Sequence, residues 1–176
     1  MLKRKFNAGL TLLVTFLILA HAIALSVWIL SKETLPKPPA AMAWVLAGAT
    51  VVHALISIDL VVSTYMDKKG PRGKSYAKMN RATIIQRVSG VLMLLFIALH
   101  IAGATGYMQP PKVVHAIVPA VFYTIVLAHV AVSASKALIT LGIGNARFVK
   151  TADIVIKAIC AATLITALTS FYLYRL

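Results

Sequence analysis

Five apolar stretches dominate the chain, at residues 7–30, 40–66, 82–107, 111–141 and 148–174. Each exceeds the ~20 residues that carry a helix across about 30 Å of hydrocarbon, with length left over for some tilt. A soluble domain of 176 residues has no interior able to hide a sequence that is 60% hydrophobic and only 12% charged. The expected fold is therefore an all-α integral membrane protein, a five-transmembrane-helix bundle forming a single membrane domain over residues 1–176. Pro36, Pro38 and Pro39 break the first connection, and Pro110 with Pro111 the third. The first stretch is too long for a signal peptide and has no convincing small-residue cleavage site before the next span, so it is expected to remain as an anchor.

The placement of charge orients the bundle. Net charge is +14, and its clusters are Lys3–Lys5, then Lys68, Lys69, Arg72, Lys74, Lys78 and Arg81, then Arg147 and Lys150. The other connections carry only Lys32, Lys37 and Lys112. By the positive-inside rule the rich clusters lie on the cytoplasmic side, with the N-terminus inside and the C-terminus outside. The expected location is the inner (cytoplasmic) membrane, crossed several times. These basic residues flank spans and do not interleave with aromatics, so nucleic acid is not an expected partner, while membrane lipid is. The single cysteine, Cys160, sits in an apolar run and reads as packing.

Histidine is rare in membrane spans because its ring must find a partner there. Here the first four helices each contain one deep histidine: His21, His53, His100 and His129. His115 lies close to the outer end of the fourth helix, and the fifth helix has none. His21 and His100 are nine and seven residues from the outer ends of their helices, which puts both roughly 10–14 Å below that surface. His53 and His129 are thirteen and eighteen residues from theirs, roughly 20–27 Å down. The four thus sort into a shallow pair and a deep pair.

Two histidines at one depth on different helices are what a six-coordinate b-type haem requires. Imidazoles on opposite faces of the iron leave no open position, so such a haem carries electrons and does not bind oxygen. Facing helices of a bundle are a usual place for such a plate. Small residues that make room lie close by, among them Ala20, Ala22, Gly48, Ala49, Gly90, Gly103, Ala128 and Ala131. The alternatives weighed against two haems are helix-to-helix hydrogen bonding by the histidines and zinc, for which neither pair gains a Cys or carboxylate at its depth. Arg87, below the deep pair on the third helix, is expected to bind a haem propionate through its guanidinium. Lys136, seven residues after His129 and on the same face of the fourth helix, is a second candidate. For both, the competing reading is a side chain snorkelling to the interface. Asp59 lies within the second span and off the face of His53, and is expected to pair with Lys136 or Lys157, with proton passage as the alternative.

The segment KSYAKMNRATIIQRVSGVLMLLFIALH, residues 74–100, resembles the third-helix region of the di-haem cytochrome b subunit of succinate:quinone oxidoreductases and fumarate reductases. The matching residues are Tyr76, Gln86, Arg87, Ser89, Gly90 and His100. The likeness continues through FLILAHA around His21, VVHALIS around His53 and LAHVAVSASKALITLGIG around His129. It covers nearly all of the five-helix region, with the third-helix motif the individually specific part.

The resemblance implies two haem b groups, with His21 and His100 ligating the iron of the outer haem and His53 and His129 that of the inner. It adds Gln86 and Ser89 to Arg87 and Lys136 as cofactor-binding residues. It also implies flavoprotein and iron–sulfur subunits on the cytoplasmic face, and menaquinone or ubiquinone as substrate beside the outer haem. Dicarboxylate chemistry would then occur on another polypeptide, and no catalytic residue is assigned to this chain. Leu127 stands where some members of the family carry a glutamate that serves a proton path. His115, Tyr107 and Gln109 lie near the outer haem, where each reads first as an interfacial polar residue and second as a quinone contact. Competing functions are a cytochrome b for another flavin dehydrogenase or reductase, and a haem-free scaffold or small transporter.

Overall fold

A computed structural model describes residues 2–32, 34–66, 81–107 and 112–174 of the chain, without the side chains of 64–66, 112–116 and 174. It contains α1 (Leu2–Leu30), α2 (Ala40–Met66), α3 (Arg81–Ala104), α4 (Lys112–Leu141) and α5 (Ala146–Tyr174), with no strand among the described residues. All five helices are long and apolar enough to cross a membrane. The loop bearing Lys68, Lys69, Arg72, Lys74, Tyr76 and Lys78 lies outside the described residues, as do Glu33, Asp67 and Gln109.

The helices differ from the hydropathy expectation mainly at their ends, for local reasons. α1 begins at Leu2 rather than residue 7, because Lys3, Arg4 and Lys5 are good helix formers that lengthen the helix beyond its apolar part. α3 ends at Ala104, three residues early. Thr105 and Gly106 close its last turn with N–H bonds to Ile101 O and Gly103 O, and Gly106 adopts φ 76°. α4 stops in a Schellman motif. Gly142, at φ 72°, donates to Ile139 O, while Ile143 donates to Leu138 O. α5 then starts two residues early, because Asn145 caps it by accepting the Phe148 N–H at 2.9 Å.

Packing is unequal around the bundle. α1 and α4 pack on each other, α5 lies against both, α2 packs on α1 and α3 on α4. Among the described residues α2 and α3 do not pack closely on one another. Polar contacts fix the antiparallel sense of neighbours. Lys3 at the start of α1 pairs with Asp59 near the end of α2. Lys136 near the end of α4 bonds Thr83 at the start of α3, and Ser135 donates to Asp153 near the start of α5. The basic ends of α1, α3 and α5 therefore share one end of the bundle.

Where helices do meet, the buried residues are small: Ala8, Ser26, Ser133, Ala134, Ala137, Cys160, Ala167 and Ser170. Lipid tails are as apolar as leucine, so helices in a bilayer gain by close backbone approach, which small residues permit. Large apolar side chains such as Phe16, Val51, Leu55, Val91 and Ile165 point outward.

Candidate functional site

Side chains of four helices line one small cavity, of about 10 Å³. It is lined by Thr11, Val14, Thr15 and Ile18 of α1, His53 of α2, Met93 of α3, and His129, Val130 and Ser133 of α4. α1 and α4, in direct contact, form its floor, and α2 and α3 are its separate walls. His53 and His129 thus meet in one layer, on two helices that do not themselves pack closely. Their depth match, read above from helix positions, corresponds to a real proximity.

The His129 ring is held from α3. Its Nδ1 lies 3.1 Å from Gln86 O and 3.2 Å from Ser89 Oγ. The Ser89 hydroxyl donates to Ile85 O at 2.5 Å, so towards His129 its oxygen accepts. Both neighbours of Nδ1 being acceptors, Nδ1 carries the proton and Nε2 keeps a lone pair. A backbone carbonyl on Nδ1–H is the usual support for a metal-ligating imidazole, because it fixes both tautomer and ring orientation. Gly90 completes the seat: a Cβ there would stand 3.1 Å from His129 Cε1. His53 is less constrained, its Nδ1 being buried without a hydrogen-bond partner. Ser133 Oγ, in the same cavity and one turn from His129, is likewise buried and unpartnered.

His21 and His100 form a second layer. They lie on α1 and α3, which do not pack closely on each other, yet their rings are within electrostatic reach. The His100 ring is tilted against Phe122 of α4 at 5.5 Å between centroids, and Phe122 stacks on Phe96 at 6.1 Å. Phe122 precedes His129 by two helical turns, so the layers are separated by about 10 Å along α4. His21 is half-buried and His100 is exposed.

The cations stand beyond the deep layer. Lys136 Nζ donates to Gln86 Oε1 at 2.9 Å and to Thr83 Oγ1 at 3.0 Å, which ties it to α3 and away from the interface. Arg87 is half-buried and within electrostatic reach of Lys136. Gln86 therefore serves twice, its carbonyl on His129 and its side chain on Lys136. Gln86 and Ser89, expected at the cofactor, both touch the candidate ligand His129, and Gln86 also bonds Lys136.

Asp59 departs from expectation. Its partner is Lys3, since both sit on the α1–α2 face, whereas Lys157 is taken by Asp153 one turn away at 2.5 Å and Lys136 by α3. Tyr107 is exposed, and the side chain of His115 lies outside the described residues. The sequence reading overlooked Thr11, Thr15 and Ser133. The signal was present as a polar stripe at four-residue spacing, Lys3, Asn7, Thr11 and Thr15, and as Ser133 one turn after His129.

Among the described residues no group of three or more His, Cys, Asp or Glu side chains could hold a bare metal ion. In chemistry the donors are those a six-coordinate b-type haem would use: paired imidazoles on separate helices, one with its tautomer fixed, and two cations below. His53 and His129 would hold one such group and His21 and His100 the other. No known protein family, curated protein or solved structure matches this chain.

Proposed function

We propose that this chain is a di-haem cytochrome b subunit that anchors a succinate dehydrogenase or fumarate reductase complex in the cytoplasmic membrane and passes electrons between its iron–sulfur subunit and a quinone. The observation that carries the reading is the pairing of four histidines, one from each of α1 to α4, with His53 beside His129 and His21 near His100. When bound, two b haems supply one-electron carriage between the faces of the bilayer.

The chain's own residues supply placement. His53 and His129 are the deep ligands, and His21 and His100 the shallow ones. Gln86 O and Ser89 hold His129 with its Nε2 lone pair available. Arg87 and Lys136 provide positive charge on the side of the deep pair facing the basic end, where propionates are best neutralised. That end carries Lys3–Lys5, Arg81, Arg147 and Lys150, and by the positive-inside rule it is cytoplasmic, the side on which flavoprotein and iron–sulfur partners would dock. The N-terminus is then inside and the C-terminus outside. Apolar side chains on the outer faces leave the rest of the bundle to lipid.

The test combines a reduced-minus-oxidised spectrum and pyridine haemochrome assay of the purified protein with identification of the subunits that co-purify. Two b haems per chain and a flavin-containing partner are expected. A colourless preparation overturns the cytochrome assignment, and a partner of other chemistry overturns the complex named here.

A further inference from the structure

The two deep histidines are positioned by different means. His129 is gripped at its ring by Gln86 O, Ser89 and the open face of Gly90. His53 lacks such a grip, since its Nδ1 is buried without a partner. Its helix, α2, packs closely on α1 and on no other helix among the described residues. The aim of the His53 ring therefore depends on the rotation and height of α2 against α1. A slip of one residue turns a helical side chain by about 100° and would carry His53 off the cavity.

Lys3–Asp59 and Asn7–Ser57 are polar pairs that cross the α1–α2 interface. Lys3–Asp59 lies at the basic end on side chains that are both more than half exposed, where ion pairs constrain geometry weakly. Asn7 and Ser57 lie deeper and are half-buried. Asn7 Nδ2 donates to Ser57 Oγ at 3.1 Å, and Ser57 Oγ can donate back to Asn7 Oδ1 at 3.4 Å. Ser57 is one turn from His53 on the same face of α2. Asn7 is one turn from Thr11, which lines the cavity beside His53.

We propose that Asn7 and Ser57 are the positioning residues of His53, a polar lock one turn below it that fixes the rotation of α2 so that its imidazole faces His129. The inference rests on the haem assignment above. Half-buried between the two helices, the amide and hydroxyl bond each other, so the pair resists both rotation and separation.

The test reads haem spin state in the full-length purified protein by electron paramagnetic resonance. Asn7→Leu and Ser57→Ala each delete the lock while keeping an apolar interface. Each should raise the high-spin, five-coordinate fraction of the deep haem about threefold, the worth of one interhelical hydrogen bond, and leave the shallow haem low-spin. The swap Asn7→Ser with Ser57→Asn restores the pair in reverse and should return the high-spin fraction to its original level. Spin states unmoved by both single variants, or a swap no better than either single, would overturn the proposal. Ser57→Ala removes one oxygen and keeps the reading open if Asn7→Leu fails to accumulate. Unaltered protein without haem would remove the functional assignment itself, whereas haem-loaded protein indifferent to the lock removes only this inference.

Discussion

The ring of His129 rests on the bare backbone of Gly90: a methyl group at residue 90 would stand 3.1 Å from Cε1 and 3.5 Å from Nδ1. The ring cannot easily recede, because Gln86 O and Ser89 hold its Nδ1 from the same helix. Gly90→Ala should therefore tilt His129 and weaken the deep site by about 1–3 kcal/mol, the usual range for overpacking a filled position. Haem content and redox titration of the variant check this. The expected outcome is partial loss, or an altered potential, of the deep haem alone.

Single replacement of the histidines should divide them into pairs. His53→Ala and His129→Ala are expected to lose the same haem, and His21→Ala and His100→Ala the other, each variant retaining about half the haem of the original. His115→Ala should keep both. Spectra of the purified variants, titrated electrochemically, assign each loss to one component.

Arg87→Gln should lower the midpoint potential of the deep haem, since a nearby positive charge favours the electron-rich reduced form. At an effective dielectric near 20, a unit charge within about 8 Å contributes about 2 kcal/mol before screening. Because Arg87 is only half-buried, the expected shift is several tens of millivolts. Lys136→Gln should act in the same direction and also release the Gln86 side chain. Equal movement of both haems in a redox titration would place these cations outside the deep site.

The α4–α5 turn offers a check that needs no cofactor. Gly144 has φ 77°, and an added Cβ would fall 2.2 Å from Phe148 Cδ1. Gly144→Ala therefore meets both backbone strain and collision, and should lower stability by about 1–3 kcal/mol. Gly142→Ala, at φ 72° in open space, should cost only the strain, about 1 kcal/mol. Thermal unfolding in detergent would rank the two.

The spans were readable because hydrocarbon thickness imposes one length on every helix, whatever its neighbours. Their ends were less so, since Gly142 and Asn145 act through local backbone geometry that hydropathy ignores. The depth classes of the histidines followed from helix rise alone, and the proximity of His53 to His129 agrees with them. Partner choice was another matter. Asp59 was expected on Lys136 or Lys157 and bonds Lys3, because pairing depends on which helices adjoin and at what rotation, and periodicity along a single helix carries no such information. The dual use of Gln86 was hidden for the same reason, its carbonyl and side chain serving two different residues of α4.

The order of helix contacts bears on biogenesis. α1 leaves the ribosome first and can pair at once with α2, but its other neighbours, α4 and α5, are more than eighty residues away in sequence. Until α4 is inserted, His53 has no His129 opposite it and the cavity lacks half of its floor. On the function proposed above, the deep pair would be complete only once α4 is inserted, late in synthesis. A chain truncated after α3 would hold His21, His53 and His100 but lack α4, the one helix on which both α1 and α3 pack, and so the support that brings the shallow pair together.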